Sequence, residues 1–239
     1  MGKLIDIPSF DGKTFQAWLS EPAGDAPAGG FPALLFLAEA FNLNAWARAT
    51  ADRYAELGYI VIAPDLHWRS VPGVHLPYTP QDRVRALELN AQVDYELALR
   101  DVQTGIERLR SRNDVNGKVG VVGYCLGGRL SFLAGAKSTP DAVVGYYSSN
   151  LGPLLALTPG IQAPAIFHFG DEDTGIPIEV AHELAVARAP GQDLQIHIYE
   201  GAEHGFCRIG EAPYHPQSAE LANLRTLQHF ERWLRTPAP

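Results

Sequence analysis

The chain has only two cysteines in 239 residues, Cys125 and Cys207. Two cannot build a disulfide scaffold, so each is either a buried side chain or a free working thiol. A working thiol is at home in a reducing cytoplasm, which is the expected location. Long apolar runs are also missing. None approaches the roughly 18 residues that a transmembrane helix needs. The N-terminal MGKLIDIPSFDGKTF has neither the apolar centre nor the cleavage site of a secretory signal. Positive charge is scarce: 19 Lys and Arg face 27 Asp and Glu, for a net charge of -8, and no basic block occurs. This excludes the electrostatic footprint of a nucleic-acid binder. No internal repeat and no low-complexity tract interrupts the chain. What is present is apolar bulk, 46% of residues, enough for one large core and read as a single domain over residues 1–239.

The most informative stretch is Lys118 to Ala136, KVGVVGYCLGGRLSFLAGA. Lys118 to Gly123 is a short β-branched apolar run, suited to a strand buried on both faces. Gly128 to Ala136 reads as a helix. Between them, Gly123-Tyr124-Cys125-Leu126-Gly127 has the G-x-S-x-G spacing of a nucleophile elbow, with cysteine in the serine position. Such a turn holds its nucleophile in a strained conformation, and glycines on either side remove side chains that would collide across it. A helix N-terminus behind Cys125 favours a thiolate, and the N–H of Leu126 points where an oxyanion would form. The bland alternative is a buried structural cysteine in a glycine-rich turn.

Strand and helix signals alternate along the rest of the chain. Thr14 to Leu19 reads as an edge strand after a turn at Asp11-Gly12. Glu21 to Gly30 is a Pro/Gly/Ala-rich surface loop. Strands are expected at 33–38, 59–63, 142–147, 165–169 and 194–199. Helices are expected at 45–57, with Gly58 as its cap, and at 177–188 and 216–235. Pro80 to Arg112 reads as a helix, bent or broken along its length. This is the pattern of an α/β fold with a mostly parallel central sheet and helices on both faces. In such sheets ligands bind beyond the carboxyl ends of the strands.

Candidate partners for Cys125 lie at such ends. Asp171, Glu172 and Asp173 follow the strand ending at Phe169, and His204 follows the strand ending at Tyr199. The order nucleophile, acid, histidine is that of an α/β-hydrolase. A cysteine near its free pKa needs a base, a histidine can take and return the proton, and a carboxylate fixes the imidazole tautomer. Of the eight histidines, His182 and His229 are expected at the surface and His197 inside a strand. Glu39 ends the strand Ala33 to Ala38 among apolar neighbours, where a carboxylate is costly without a partner. The N–H of Ala40 beside it is placed to donate to an oxyanion alongside that of Leu126.

Taken together these residues resemble the dienelactone hydrolases (carboxymethylenebutenolidases), a cysteine branch of the α/β-hydrolase fold. The likeness runs from about Ala33 to Phe230. It rests on Glu39 in LAEAFNLN, Pro64-Asp65-Leu66, Asn116 to Gly120 running into Gly123 to Gly128, Val144 to Tyr147, Asp173 four residues before Pro177, and His204-Gly205-Phe206 with Arg208. The resemblance selects Asp173 over Asp171. It implies hydrolysis of an anionic enol-lactone to maleylacetate by attack of Cys125, with no metal or organic cofactor. It assigns Glu39 to holding the thiol until substrate releases it, and Arg208 to the substrate carboxylate. The family's second arginine falls after Pro80-Gln81-Asp82, in a segment about three residues shorter here. Arg85 is the candidate kept for that role, although Arg83 and Arg85 do not fall cleanly into register and helices carry arginines for solubility. The tyrosine expected one helical turn later is absent, and Gly205 stands where the prototype has a hydroxyl. The expected partner is a small lactone or ester met by a monomer, with no nucleic acid and no membrane. Two alternatives stay open: an esterase or lactonase of the same fold with a larger or neutral substrate, and a non-catalytic ligand-binding or thiol-redox protein using Cys125 and Cys207.

Overall fold

The computed structural model describes residues 2–235. Eight strands form one sheet: β1 (Lys3–Pro8), β2 (Thr14–Ser20), β3 (Phe31–Leu37), β4 (Ile60–Pro64), β5 (Val115–Tyr124), β6 (Ala142–Tyr146), β7 (Ala165–Gly170) and β8 (Leu194–Tyr199). Their order is β1-β2-β4-β3-β5-β6-β7-β8. β1 and β2 pair antiparallel, as do β2 and β4, and every later pairing is parallel. Six α-helices join them: α1 (Ala45–Glu56), α2 (Pro80–Ala91), α3 (Tyr95–Arg110), α4 (Leu126–Lys137), α5 (Ile178–Val186) and α6 (Pro216–Leu234). This is the α/β-hydrolase fold.

The apolar runs that marked the central strands face two cores. Along β3, Leu34 and Phe36 enter one cluster while Ala33, Leu35 and Leu37 enter the other. Along β5, Val122 and Tyr124 face the first cluster and Val119 and Val121 the second. Successive side chains of a strand point to opposite faces, so a strand covered on both sides is apolar throughout.

Two expectations, on the edge strand and on His229, need correction, and the expected break between Pro80 and Arg112 is located. β1 was not foreseen, and it takes the sheet edge, which makes β2 an interior strand. The segment from Pro80 to Arg112 is two helices. The chain leaves helical geometry around Gln92 to Asp94, and the Asp94 carboxylate accepts the N–H groups of Glu96 and Leu97, both at 3.0 Å, to start α3. That is an N-cap, which ends one helix register and opens another. His229 is buried on the inner face of α6, its Nε2 3.1 Å from the carbonyl oxygen of Pro164. A 3-10 helix over Gly152–Gly160 also carried no sequence signal. The expected strands and helices elsewhere agree with the structure to within a few residues.

Because β3, β5, β7 and β8 run parallel, their carboxyl ends lie along one edge of the sheet. Residues 39, 125, 173 and 204 follow those ends.

Candidate active site

Cys125 sits between the last residue of β5 and the first of α4, with φ 54° and ψ -109°. A positive φ in a residue other than glycine costs on the order of 1–3 kcal/mol and persists only where the surroundings enforce it. Here they do. The Cys125 N–H donates to Tyr146 at 3.0 Å, and its carbonyl accepts from Arg129 and Ser149, both at 3.1 Å. The flanking glycines are required by close approach. A Cβ on Gly123 would run into the backbone of Gly127, across the turn as expected. A Cβ on Gly127 would instead strike the carbonyl of Leu37, so this glycine lets the elbow close onto β3.

That approach positions two backbone donors. The Gly127 N–H bonds to the Ala38 carbonyl at 3.0 Å, tying the start of α4 to the end of β3. Leu126 and Ala40 flank this tie. Their N–H groups take no hydrogen bond among the described residues.

The acid and the histidine meet as the sequence order implies. Asp173 is 6% exposed. Its Oδ1 accepts the N–H groups of Gly175 (2.9 Å) and Ile176 (3.1 Å), which fixes the carboxylate. Its Oδ2 lies 2.8 Å from Nδ1 of His204. Asp171 is committed elsewhere, accepting the Gly201 N–H at 2.8 Å. With Nδ1 of His204 held by Asp173, Nε2 is the nitrogen left for sulfur. Burial works against a charged His204, but the negative charge of the Cys125 sulfur, the bond to Asp173 and a hydrogen bond to the thiol outweigh it and raise the imidazole from 6.5 to about 10. At neutral pH the ring therefore holds its proton, with Nε2 placed to exchange it with the Cys125 sulfur. The Tyr147 ring, 5.0 Å from that of His204, packs beside it.

Glu39 is 1% exposed. Its partners are Arg208, whose Nε lies 3.0 and 2.9 Å from the two carboxylate oxygens, and the Tyr78 hydroxyl at 2.8 Å. Cys125 is not among them. A buried carboxylate needs a counter-charge, and Arg208, stacked 4.8 Å from the Tyr78 ring centroid, supplies it. The expected thiol-holding role of Glu39 and carboxylate-reading role of Arg208 therefore appear here as one mutual ion pair. Tyr78 gave no sequence signal, since it lies in the irregular proline-rich stretch before α2. Gly205 makes room for the pair: its φ is +87°, and a Cβ there would press on the Arg208 guanidinium.

Arg85 is not in this group. It lies on the exposed side of α2, paired with Glu88 at 3.0 Å, and Arg83 is exposed as well. Cys207 is buried, and both cysteines are free. Burial, and then the charge of Glu39, push the Cys207 thiol well above its ordinary value, so it stays protonated and inert. A cavity of about 240 Å³ borders the loop 65–70 and the α2–α3 connection, but no member of the triad lines it.

A model of the dienelactone hydrolase family matches residues 15–234. The chain belongs to the dienelactone hydrolase family. It is 38% identical over 224 residues to the carboxymethylenebutenolidase of Pseudomonas putida, covering 93% of each chain. It is 33% identical over 225 residues to carboxymethylenebutenolidase 1 of Cupriavidus pinatubonensis, covering 94% of each. Among solved structures, a Klebsiella pneumoniae protein provisionally named a dienelactone hydrolase superposes with a TM-score of 0.86 at 24% identity, over 98% of this chain and 99% of that one. A metagenomic phosphotriesterase described as dienelactone hydrolase-like shares the fold at a TM-score of 0.78 and 20% identity, over 98% of each chain. Membership makes the protein a hydrolase of ester or lactone bonds. No helix among the described residues is long and apolar enough to cross a membrane.

Proposed function

We propose that this dienelactone hydrolase family member opens a small anionic enol-lactone, of the dienelactone-to-maleylacetate type, through an acyl-enzyme on Cys125. The Cys125 thiolate attacks the lactone carbonyl carbon. A C–S bond forms, and the carbonyl electrons move onto oxygen, received by the N–H groups of Ala40 and Leu126. Collapse of that intermediate breaks the ring C–O bond, and the departing enolate takes the proton from Nε2 of His204. Water then attacks the thioester with His204 as base, and the thiolate leaves. Asp173 holds the ring orientation and stabilises its charge. The protein works as a monomer, in the cytoplasm, and without metal or organic cofactor.

The observation that carries this reading is the 2.8 Å Asp173–His204 bond, with the same ring raised by the charge of the Cys125 sulfur on its strained elbow. The Glu39–Arg208 pair bears on substrate choice. A substrate carboxylate competes with Glu39 for the Arg208 guanidinium on equal chemical terms. The same pair favours a second reading, an esterase for larger or neutral esters, because Glu39 already neutralises one anion-binding cation.

The test is a kcat/KM panel of cis- and trans-dienelactone against p-nitrophenyl acetate and butyrate. The dienelactones are expected to lead by about tenfold or more, the size of one charge-assisted contact. Turnover of the aryl esters with none of either dienelactone would transfer the assignment to the second reading.

A further inference from the structure

A guanidinium with no counter-ion stands one helical turn past the nucleophile. Arg129 lies in the first turns of α4, and its backbone N–H donates to the Cys125 carbonyl at 3.1 Å. Its guanidinium carbon is 3.9 Å from the ring centroid of Tyr95, the first residue of α3. Its Nε is closed off from solvent with no hydrogen-bond partner. Arg69, Arg110, Arg112 and Arg208 each meet a carboxylate. Arg129 meets none among the described residues.

The charges around the sulfur explain why this matters. Glu39 and Arg208 cancel one another, and Asp173 offsets the His204 imidazolium. The thiolate is then left as an unmatched negative charge, which repels an anionic substrate. Arg129 is the cation of the elbow helix nearest its N-terminus, Lys137 lying in the last turn. Tyr95, which carries it, feels the Cys125 charge: burial and then that charge raise the phenol, against the opposing charge of Arg129. The ring, the guanidinium and the sulfur therefore share one region at the α3–α4 side of the elbow. A stacked guanidinium keeps its in-plane N–H edge free, and that edge fits a carboxylate.

We propose that Arg129, presented on the face of Tyr95, recognises a carboxylate of the incoming substrate and gives the site its preference for anions. The inference deepens the lactone-hydrolase reading and rests on it. It also replaces Arg85, which the fold places on the exposed side of α2.

Two alkylating reagents isolate the effect from turnover. Iodoacetate and iodoacetamide both form a C–S bond with the thiolate while iodide leaves, and they differ in carboxylate against carboxamide. Their rates at Cys125 in the full-length protein are followed by peptide mass spectrometry, which separates Cys125 from Cys207. In Arg129→Gln the iodoacetate-to-iodoacetamide rate ratio is expected to fall about tenfold, the loss of one charge-assisted contact. Arg129→Lys should recover part of it by retaining the charge. An unchanged ratio, whether neither reagent or both are slowed, overturns the proposal and leaves Arg129 a packing or thiolate-supporting residue. If thermal melting shows Arg129→Gln unfolded, Arg129→Met, which keeps the apolar stem over Tyr95, takes its place with the same criterion. Wild-type dienelactone turnover is measured alongside. Its absence with a residue-129-sensitive ratio sinks the lactone reading and keeps the anion site. Turnover with an insensitive ratio does the reverse.

Discussion

His168 and His204 are both packed against tyrosine rings, and the fold pushes them in opposite directions. His168, in the middle of β7, is fully buried. It has the Tyr199 hydroxyl at 2.8 Å on one nitrogen and the Thr226 hydroxyl at 3.1 Å on the other. Burial, and then the neighbouring positive groups, hold it well below its ordinary value and hence neutral. His204, beyond the end of β8, has a carboxylate on one nitrogen and a sulfur anion facing the ring, and it rises to about 10. Burial disfavours the charged ring in both. What decides the outcome is whether the partners are hydroxyls or anions. For these two rings the strand interior supplies hydroxyls and the strand end supplies anions.

Removing the sulfur tests that contrast most severely. Cys125→Ala should lower kcat/KM for the lactone by about four orders of magnitude or more. The His204 ring, followed by NMR titration, should move down from about 10 toward 6.5. A ring that stays near 10 would show that sulfur is not what holds it charged.

Asp173→Asn gives His204 a neutral partner, as His168 has. A fall in kcat of about three orders of magnitude is expected, together with a lower imidazole pKa. If kcat survives, the carboxylate is a structural cap for the turn at Gly175 and Ile176 rather than an orienting group.

The smallest effect concerns the neutral histidines. His229 is brought down from 6.5 to about 4, chiefly by burial, and His168 is likewise held well below its ordinary value by burial. Their folded pKa values are depressed, so the unfolded chain binds protons first. The stability they provide is complete above about pH 6.5 and is lost as pH falls toward 4. In urea titrations across that window, His229→Gln should lose roughly 2 kcal/mol less than wild type. Equal losses would mean that residue 229 takes up its proton without unfolding.

The proposed triad of Cys125, Asp173 and His204 was legible in the sequence because each member is announced by the backbone. The glycines around Cys125 are dictated by carbonyls that leave no room for a Cβ, and Asp173 and His204 fall after strands recognisable by apolar runs. The residues set by side-chain pairing were not. Nothing in the proline-rich stretch marks Tyr78 as a ligand of Glu39, and the pairing of Glu39 with Arg208 spans 169 positions. Arg85 and Arg129 look alike as letters. In the fold Arg85 pairs with Glu88 on the exposed side of α2, whereas Arg129 on α4 meets the ring of Tyr95 at the head of α3. His229 was misplaced for the same reason, because the inner face of α6 depends on the helix's rotation against β6 and β7.

The geometry at residue 125 also limits evolutionary choice. A backbone held at φ 54° penalises branching at Cβ, because a second substituent there crowds the main chain. Serine could inherit the position with little rearrangement, whereas threonine would be rejected on shape before its reactivity came into play. Descendants of this scaffold are thus steered toward a primary alcohol or a thiol, and the bend acts as a filter on which catalysts can arise.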